Sequence, residues 1–381
     1  ISCDPEALCI YTLDGSARLA YEICVDGQDV LFDAHNGEVL QASPMIRSAT
    51  ATFGFSNDML EVPQLPSGEY ILKDETNGIY VYSAEGKTYW DQMTGKVNPN
   101  VLKLVMSQDS QFGENVTRID RDDSVDCQSM IRAKESLDCV RDVHEYFSGL
   151  MNGPQCEKLV LIYDDRIGNQ NGHNAGGWYP TAKQAIGSGL FDSSDPDERV
   201  ASIILGTYYS EHVDRYADIV AHEYTHFVTS KYVGWTKSNK NNEALNEAFS
   251  DIFAELFQAS SVGTDPDWEV SSRPIHDPSK RNYPEKLGDR VPATTDYAHG
   301  ASTVISHVAY KMWSGLPDEQ NTSLSTEELA LLWYRAMLMM PSDADFVDCR
   351  YVVEVAADAI GLTDDQKRCI SNAFEEAGIR A

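Results

Sequence analysis

The pentapeptide His222-Glu223-Tyr224-Thr225-His226 combines residue types that together do metal chemistry. Residues four apart share one face of a helix, so both imidazoles can face a single metal ion. Two imidazoles and one carboxylate hold Zn²⁺ with a fourth position open for water, which Glu223 can reach. The spacing therefore predicts a zinc hydrolase with Glu223 as general base. The alternative is a coincidental His-Glu-x-x-His on an ordinary amphipathic helix, which the downstream segment Asn246-Glu247-Ala248-Phe249-Ser250-Asp251 disfavours.

Two glutamates, Glu243 and Glu247, compete for the place of the third ligand, because they stand in near copies one helical turn apart. Asp251 follows Glu247 by one further turn, where its carboxylate can accept the second N–H of His222 and fix the tautomer of that ring. The backbone of Asn246 is placed to do the same for the second histidine. We therefore predict Glu247 as the ligand and Glu243 as a solvated helix charge.

Two kinds of periodicity divide the chain. Residues 48–165 are rich in Tyr, Val and Gly and contain turn pairs such as Asn77-Gly78, which are typical of hairpins. After residue 213 the helical period dominates. This pattern predicts an α+β protein with a β-rich N-terminal lobe, a helical C-terminal lobe, and the metal site in the cleft between them.

The helical half contains recognisable end signals. Asp364 and Thr326 suit helix N-caps, and Gly361 suits a helix stop. We expect helices over 215–228, 242–258, 300–313, 327–340, 347–360 and 364–377.

Residues 1–47 have a different pattern, in which apolar and polar residues alternate around glycine-containing turns. The alternation predicts two or three antiparallel strands, followed by a loop over 41–48. The first residue is Ile1 and no apolar leader precedes the strands, so we expect the true N-terminus to lie elsewhere.

The composition agrees with a secreted enzyme. The 381 residues include 60 acidic and 30 basic side chains, a formal charge of −30. Such a surface repels nucleic acid and anionic membranes, and no run of eighteen apolar residues spans a membrane. Eight cysteines without a Cys-x-x-Cys pair favour disulfides in an oxidising compartment. We expect Cys349 and Cys369 to pair, and the other six cysteines leave the connectivity open.

These motifs resemble those of the thermolysin-like zinc metallopeptidases. The resemblance extends to 70–82, similar to the family's N-terminal hairpin, and to 324–379, similar to its C-terminal helices. It implies a two-lobe zincin with a β-rich lobe at 48–213 and a zinc-binding helical lobe at 214–381. Residues 1–47 resemble the end of the family's pro-segment, although a small N-terminal domain retained in the working enzyme is the alternative.

The resemblance also implies roles around the zinc. His299 matches the family's second catalytic histidine, which steadies the oxyanion, and Asp296 is expected to orient it. Arg273 matches the arginine that grips a substrate carbonyl. Asn174 and Ala175, with Trp178 after them, look like the strand along which the substrate lies.

Calcium is the second ion that the resemblance implies. Asp218 and Glu255 match a buried calcium site of the family, and Asp267 and Glu269 can supply further oxygens. One calcium ion is expected, because Gln258 replaces a usual carboxylate. The alternative is an acidic surface in an acidic protein.

Two departures from the family concern catalysis. Relatives carry an oxyanion-binding Tyr about eleven residues after the second zinc histidine, where this chain has Lys237 nearby and no Tyr. Either Lys237 substitutes electrostatically or His299 acts alone. The stretch before Arg273 is also much shorter than in relatives, so the family's specificity does not transfer directly.

We therefore expect a secreted, monomeric zinc endopeptidase that hydrolyses polypeptides, before bulky apolar residues, with a zinc-bound water activated by Glu223. Its own pro-segment is expected to act as an intramolecular inhibitor or folding aid, and nucleic acid and membrane are not expected as partners. The alternative is a non-catalytic secreted binding or adhesion protein on the same scaffold.

Overall fold

The computed structural model describes residues 8–13, 16–25, 28–44, 47–52, 59–64, 68–91, 96–107, 124–153, 155–165, 175–185, 198–211, 216–235, 239–270, 273–315 and 322–380. Within these ranges no helix combines the length and apolar character needed to cross a bilayer.

Strands dominate the first half of the chain and helices the second. The strands are β1 (Leu8–Leu13), β2 (Ser16–Val25), β3 (Gln28–Asp33), β4 (Val39–Pro44), β5 (Arg47–Thr52), β6 (Met59–Gln64), β7 (Tyr70–Ile71), β8 (Lys73–Asp74), β9 (Ile79–Ser83), β10 (Trp90–Asp91), β11 (Lys96–Val97), β12 (Lys103–Leu104), β13 (Met106–Ser107), β14 (Leu159–Asp165), β15 (Ala175–Trp178), β16 (Ala201–Gly206), β17 (Glu269–Val270) and β18 (Arg273–Pro274). The helices are α1 (Ser124–Met151), α2 (Ala182–Ala185), α3 (Thr207–Glu211), α4 (Ala217–Tyr232), α5 (Lys240–Val262), α6 (Tyr297–Ser314), α7 (Thr326–Met339), α8 (Phe346–Ala359) and α9 (Asp364–Glu376). The predicted α+β class is confirmed.

The chain forms two compact units, one made of Ile1–Glu75 with Val105–Ile131 and the other of Thr76–Leu104 with Arg132–Ala381. In the first unit β1 to β4 form an antiparallel sheet in which each strand pairs with the next. The N-terminal segment therefore has four strands, where two or three were predicted. The loop predicted over 41–48 is wrong, since β4 continues to Pro44 and β5 begins at Arg47.

The second unit is built on a sheet with the strand order β12-β9-β14-β16-β15. β14 pairs in parallel with both β9 and β16, and every residue of β16 is buried. Central parallel strands are covered on both faces, which explains why residues 159–163 of β14 and 203–205 of β16 are apolar without alternation. β15 pairs antiparallel with β16 and is the last strand in this order.

Helix α4 contacts β15 and β16 and also the long helix α5. Its approach to β15 depends on Gly177, where an added Cβ atom would lie 1.6 Å from the carbonyl oxygen of Glu223. No side chain fits there, so a glycine lets the strand and the helix backbone come into direct contact. This contact places the predicted substrate strand beside the predicted general base.

The helices after α5 follow the predicted pattern but begin at different residues. Ser325 and Thr363 are the N-caps of α7 and α9, each in a capping box, so the predicted caps Thr326 and Asp364 are wrong by one residue. Gly361 follows α8 with a φ of +75°, as expected of a helix stop. Helix α1 was not predicted, because Tyr, Val and Gly in the surrounding region favoured strands.

The expected disulfide between Cys349 and Cys369 is wrong. Both side chains are buried thiols, and Sγ of Cys369 lies 3.9 Å from the backbone carbonyl oxygen of Lys311 on α6. The α9 thiol is thus directed at a third helix and not at α8. Cys139 and Cys156 are also thiols, whereas the side chains of the remaining four cysteines lie outside the described residues.

Replacing Gly177 with alanine should separate β15 from α4, because the new methyl group meets backbone and cannot be accommodated by a side-chain rotation. We expect a loss of about 3 kcal/mol in the free energy of unfolding, measured by urea titration. The control is Gly149→Ala in α1, where the added Cβ has no neighbour within 4 Å and alanine should be neutral or stabilising. Equal stability of the two variants would contradict this view of the contact.

Candidate metal centre

Three side chains from α4 and α5 converge on one point. The Nε2 atoms of His222 and His226 are 3.1 Å apart. Glu247 faces them from α5, with Oε2 3.3 Å from Nε2 of His222 and Oε1 3.6 Å from Nε2 of His226. Among the described residues this is the only group of three or more His, Cys, Asp or Glu side chains whose ligand atoms all lie within 4.8 Å of one another.

The spacing of these atoms fits a tetrahedral metal ion. With bonds of about 2.0–2.1 Å, neighbouring ligands of Zn²⁺ lie roughly 3.3 Å apart, close to the observed distances. Oε2 of Glu247 is buried, and no described residue hydrogen-bonds to it in suitable geometry. Two imidazoles, one carboxylate and a buried carboxylate oxygen without a hydrogen bond are the donor set that Zn²⁺ accepts.

The electrostatics of the group also suit a cation. Burial would raise the pKa of Glu247, but His226, His299 and His222 hold it well below its usual range, so Glu247 is ionised. Burial lowers the pKa of His226, which keeps that ring neutral. Burial also opposes the charge on His222, yet the carboxylates of Asp251 and Glu247 raise its pKa to about 10. A metal ion binding here would displace that one proton.

Asp251 orients His222 and is itself held by an arginine. Its Oδ1 lies 3.0 Å from Nδ1 of His222. The guanidinium of Arg273 binds both carboxylate oxygens, with Nε 3.1 Å from Oδ2 and Nη2 in contact with Oδ1. Burial would raise the pKa of Asp251, but Arg273 and His222 lower it. Arg273 is thus connected to the site through Asp251. The sequence predicted that Arg273 binds a substrate carbonyl and did not predict this contact.

His226 is oriented by a residue that the sequence reasoning missed. Its Nδ1 lies 3.1 Å from the hydroxyl oxygen of Ser250. Asn246, predicted to serve His226 through its backbone, has a side-chain oxygen that accepts from Thr229 at 2.5 Å. Ser250 lies one helical turn after Glu247 beside Asp251, and this i+3 spacing is the signal that could have identified it.

His299 joins the group from the first turn of α6. Its Nε2 lies 3.2 Å from Oε2 of Glu247, and its Nδ1 lies 2.6 Å from Oδ2 of Asp296. Asp296 is also the N-cap of α6 and accepts the backbone N–H of His299, so one carboxylate both begins the helix and orients the ring. Burial opposes the charge on His299, but Glu247 and Asp296 raise its pKa.

Glu223 is buried on α4 beside the two histidines, and its negative charge acts on both rings. Ala175 begins β15, the strand that meets α4 at Glu223. Asn174 and Lys237, which the sequence analysis assigned to substrate and oxyanion binding, lie outside the described residues.

The residues predicted to bind calcium converge only in part. Glu255 is fully buried, and its Oε2 accepts the backbone N–H of Trp268 at 2.6 Å. Burial, Asp267 and Asp218 raise the pKa of Glu255 to about 9, which places those two carboxylates close to it. Glu269 is exposed, and its backbone N–H donates to Asp267. The Oε1 atom of Glu255 has no hydrogen-bond partner in the described part of the chain.

Asp251→Asn keeps the size of this side chain but removes the negative charge that compensates Arg273 and faces Nδ1 of His222. We expect the free energy of unfolding to fall by roughly 3 kcal/mol and the affinity for zinc to fall by about 10–100-fold. Chemical denaturation and competition with a zinc chelator measure the two effects. Asp343→Asn, an exchange in an exposed turn, is the control and should change neither. Unchanged zinc affinity in Asp251→Asn would refute the role given to Asp251.

Comparison with known proteins agrees with this geometry. The family model of the thermolysin metallopeptidase alpha-helical domain matches residues 238–379, which include Glu247 and His299. The thermostable neutral protease NprT of Geobacillus stearothermophilus is 25% identical, across 98% of this chain and 68% of that protein. Neutral protease B of Bacillus subtilis is 26% identical, across 98% and 67% respectively.

The fold has a counterpart among solved structures. The precursor of protealysin, a metalloproteinase from Serratia proteamaculans, matches with a TM-score of 0.51 and 16% identity over 79% of this chain and 87% of that one. Nearly the whole chain is thus similar to neutral proteases, and its donor set is the one that a zinc peptidase requires. The chain is therefore similar to the thermolysin-like metallopeptidases, most clearly in its helical half, and it is a zinc metalloendopeptidase.

Proposed function

We propose that this enzyme cleaves polypeptides at the centre formed by His222, His226 and Glu247, with Glu223 as general base and His299 as oxyanion partner. The observation that carries the proposal is the convergence of the three ligand atoms within 4.8 Å, with His299 next to them. A bound Zn²⁺ would supply positive charge that polarises a water molecule and the scissile carbonyl group.

The protein side chains then move the protons. Glu223 accepts a proton from the attacking water and delivers it to the leaving nitrogen, so it must be ionised before the attack. When protonated, His299 can present an Nε2–H to the oxygen on which negative charge develops. Asp296 keeps the ring oriented by accepting from its Nδ1. His222 and His226 are held in place by Asp251 and Ser250.

The substrate is proposed to lie along β15. This strand has a partner on one side only among the described strands, and an extended peptide can add to such an edge through backbone hydrogen bonds. Ala175, together with Asn174, would contribute to this pairing. Cleavage before bulky apolar residues is the preference that we carry over from the family.

Residues 1–47 are proposed to be the end of a pro-segment that assists folding and inhibits the enzyme until it is removed. The likeness in fold to a precursor structure supports this proposal. The lobes at 48–213 and 214–381 would remain as the working enzyme, which we propose is secreted and monomeric.

One calcium ion is proposed to bind Glu255 with Asp218 and Asp267, with Glu269 as a further oxygen donor. Glu255 Oε1 and Gln258 Oε1 are buried oxygens without hydrogen-bond partners among the described residues, and Ca²⁺ takes carboxylate and amide oxygens. An ion here would also offset the repulsion among the clustered carboxylates.

The mechanism is tested by exchanging single glutamates for glutamine. Glu223→Gln should retain one zinc per chain and lose casein cleavage by a factor of about 100 or more, because the water loses its base. Glu247→Gln should lose zinc as well as activity. Glu243→Gln, one turn away on α5, is the matched control and should keep both.

Zinc content by mass spectrometry and the rate of casein digestion distinguish the variants. Wild-type activity in Glu223→Gln would exclude it as general base. A loss of zinc in Glu243→Gln with retention in Glu247→Gln would show that the other glutamate is the ligand.

Calcium binding should raise the free energy of unfolding. Calcium at about 100 times its dissociation constant should add roughly 2.7 kcal/mol to the free energy of unfolding, and Glu255→Gln should remove this gain. Glu157→Gln, an exchange of an exposed residue just before β14, is the control and should retain it. If millimolar calcium leaves the unfolding midpoint of the wild-type protein unchanged, the calcium proposal fails.

A further inference from the structure

A cavity of about 770 Å³ lies beside β15, at the end of that strand opposite to Ala175. Trp178 and Tyr179 form its wall on the side of the strand, and Lys231 and Trp235 line it from the end of α4. Arg199 lines it from the segment before β16. The cavity is large enough for a bulky amino-acid side chain, and aromatic rings form part of its wall.

Two elements, β15 and α4, connect the cavity to the metal centre. Trp178 directly follows Gly177, which contacts the backbone of Glu223. Lys231 follows His226 by five residues on α4, a rise of roughly 7.5 Å along the helix axis. A peptide that extends along β15 advances about 3.4 Å per residue, so a side chain within three residues of the scissile bond can enter the cavity.

The charge of the cavity is opposite to that of the protein. Among the described residues that line it, only Arg199 and Lys231 are charged, in a chain with 60 acidic and 30 basic side chains. Neither forms an ion pair with any residue that the structure describes. Even Glu198, the neighbour of Arg199, pairs with Lys158 at 3.0 Å instead.

Both cations are held in place but have donors to spare. Nη1 of Arg199 donates to the backbone carbonyl of Tyr179 at 2.8 Å, and Nζ of Lys231 donates to the backbone carbonyl of Gln155. A guanidinium has five N–H donors and an ammonium has three, so each keeps donors for a ligand. Burial raises the pKa of Tyr179, whereas Lys231 and Arg199 both lower it, which places the two cations near the same phenol.

We propose that this cavity binds an acidic side chain of the polypeptide substrate and gives the enzyme a preference for glutamate or aspartate near the scissile bond. The inference rests on the proposed peptidase function. Two cations that form no ion pair with a described residue can bind a carboxylate, and their position at the end of β15 suits a carboxylate of the extended substrate.

The experiment uses quenched fluorogenic peptides that differ only by Glu or Gln at each of three positions on either side of the scissile bond. At one position the wild-type zinc enzyme should show a kcat/KM about tenfold higher for Glu, as expected for a charge-assisted contact. The double variant Arg199→Gln, Lys231→Gln should bring this ratio close to one. Lys286→Gln, an exchange of an exposed lysine outside the cavity, should preserve it.

Binding is measured separately from cleavage. The zinc-loaded Glu223→Gln enzyme should bind the favoured Glu peptide more tightly than its Gln counterpart, with a change in the fluorescence of Trp178 and Trp235. A preference in binding without cleavage by the wild-type enzyme would support the cavity and overturn the proposed peptidase function. Cleavage with a Glu-to-Gln ratio near one at all six positions, or a ratio that survives in a folded double variant, would overturn the cavity proposal alone.

Discussion

The carboxylate of Asp251 has no exposed surface, and its buried negative charge determines what must surround it. Leaving such a charge unpaired costs several kcal/mol, so the fold has to bring compensating groups to it. Arg273 from β18 binds both of its oxygens, and His222 from α4 lies within hydrogen-bonding distance. The contact ties α5, which carries Asp251, to two segments that are distant in the sequence.

The metal centre is a consequence of the same helix pair. Glu247 lies one turn before Asp251 on α5 and therefore faces the same part of α4. His222 contacts both carboxylates. Asp251 faces the Nδ1 side of its ring and Glu247 the Nε2 side, and both carboxylates lie on one face of α5. An ionised Glu247 and a neutral His226 are already in the protonation states that bind a metal ion. His299 and Asp296 complete this arrangement from the start of α6.

Net charge and local charge have different consequences in this molecule. A total of −30 determines the long-range field, which repels anionic partners. Over a few ångströms individual charges dominate, and Arg199 and Lys231 form a locally positive surface at the end of β15, the strand that contacts α4 at Glu223. A negative total charge therefore does not prevent an acidic side chain from binding at one place.

The sequence by itself determined the features that depend on neighbours within a helical turn. His222 and His226 share a face because they are four residues apart, Glu247 and Asp251 do so for the same reason, and Gly361 ends α8 because glycine adopts a positive φ at low cost. The caps of α7 and α9 were misplaced by one residue, because two adjacent polar residues can each cap and only the backbone geometry selects one.

Contacts between distant elements were decided by the tertiary structure alone. Among them are Ser250 beside His226, the thiol of Cys369 turned toward α6, and the two cations that meet at the end of β15. The reason is physical: helical periodicity is set by local geometry, whereas side chains far apart in sequence meet only where the packing of the whole chain brings their elements together.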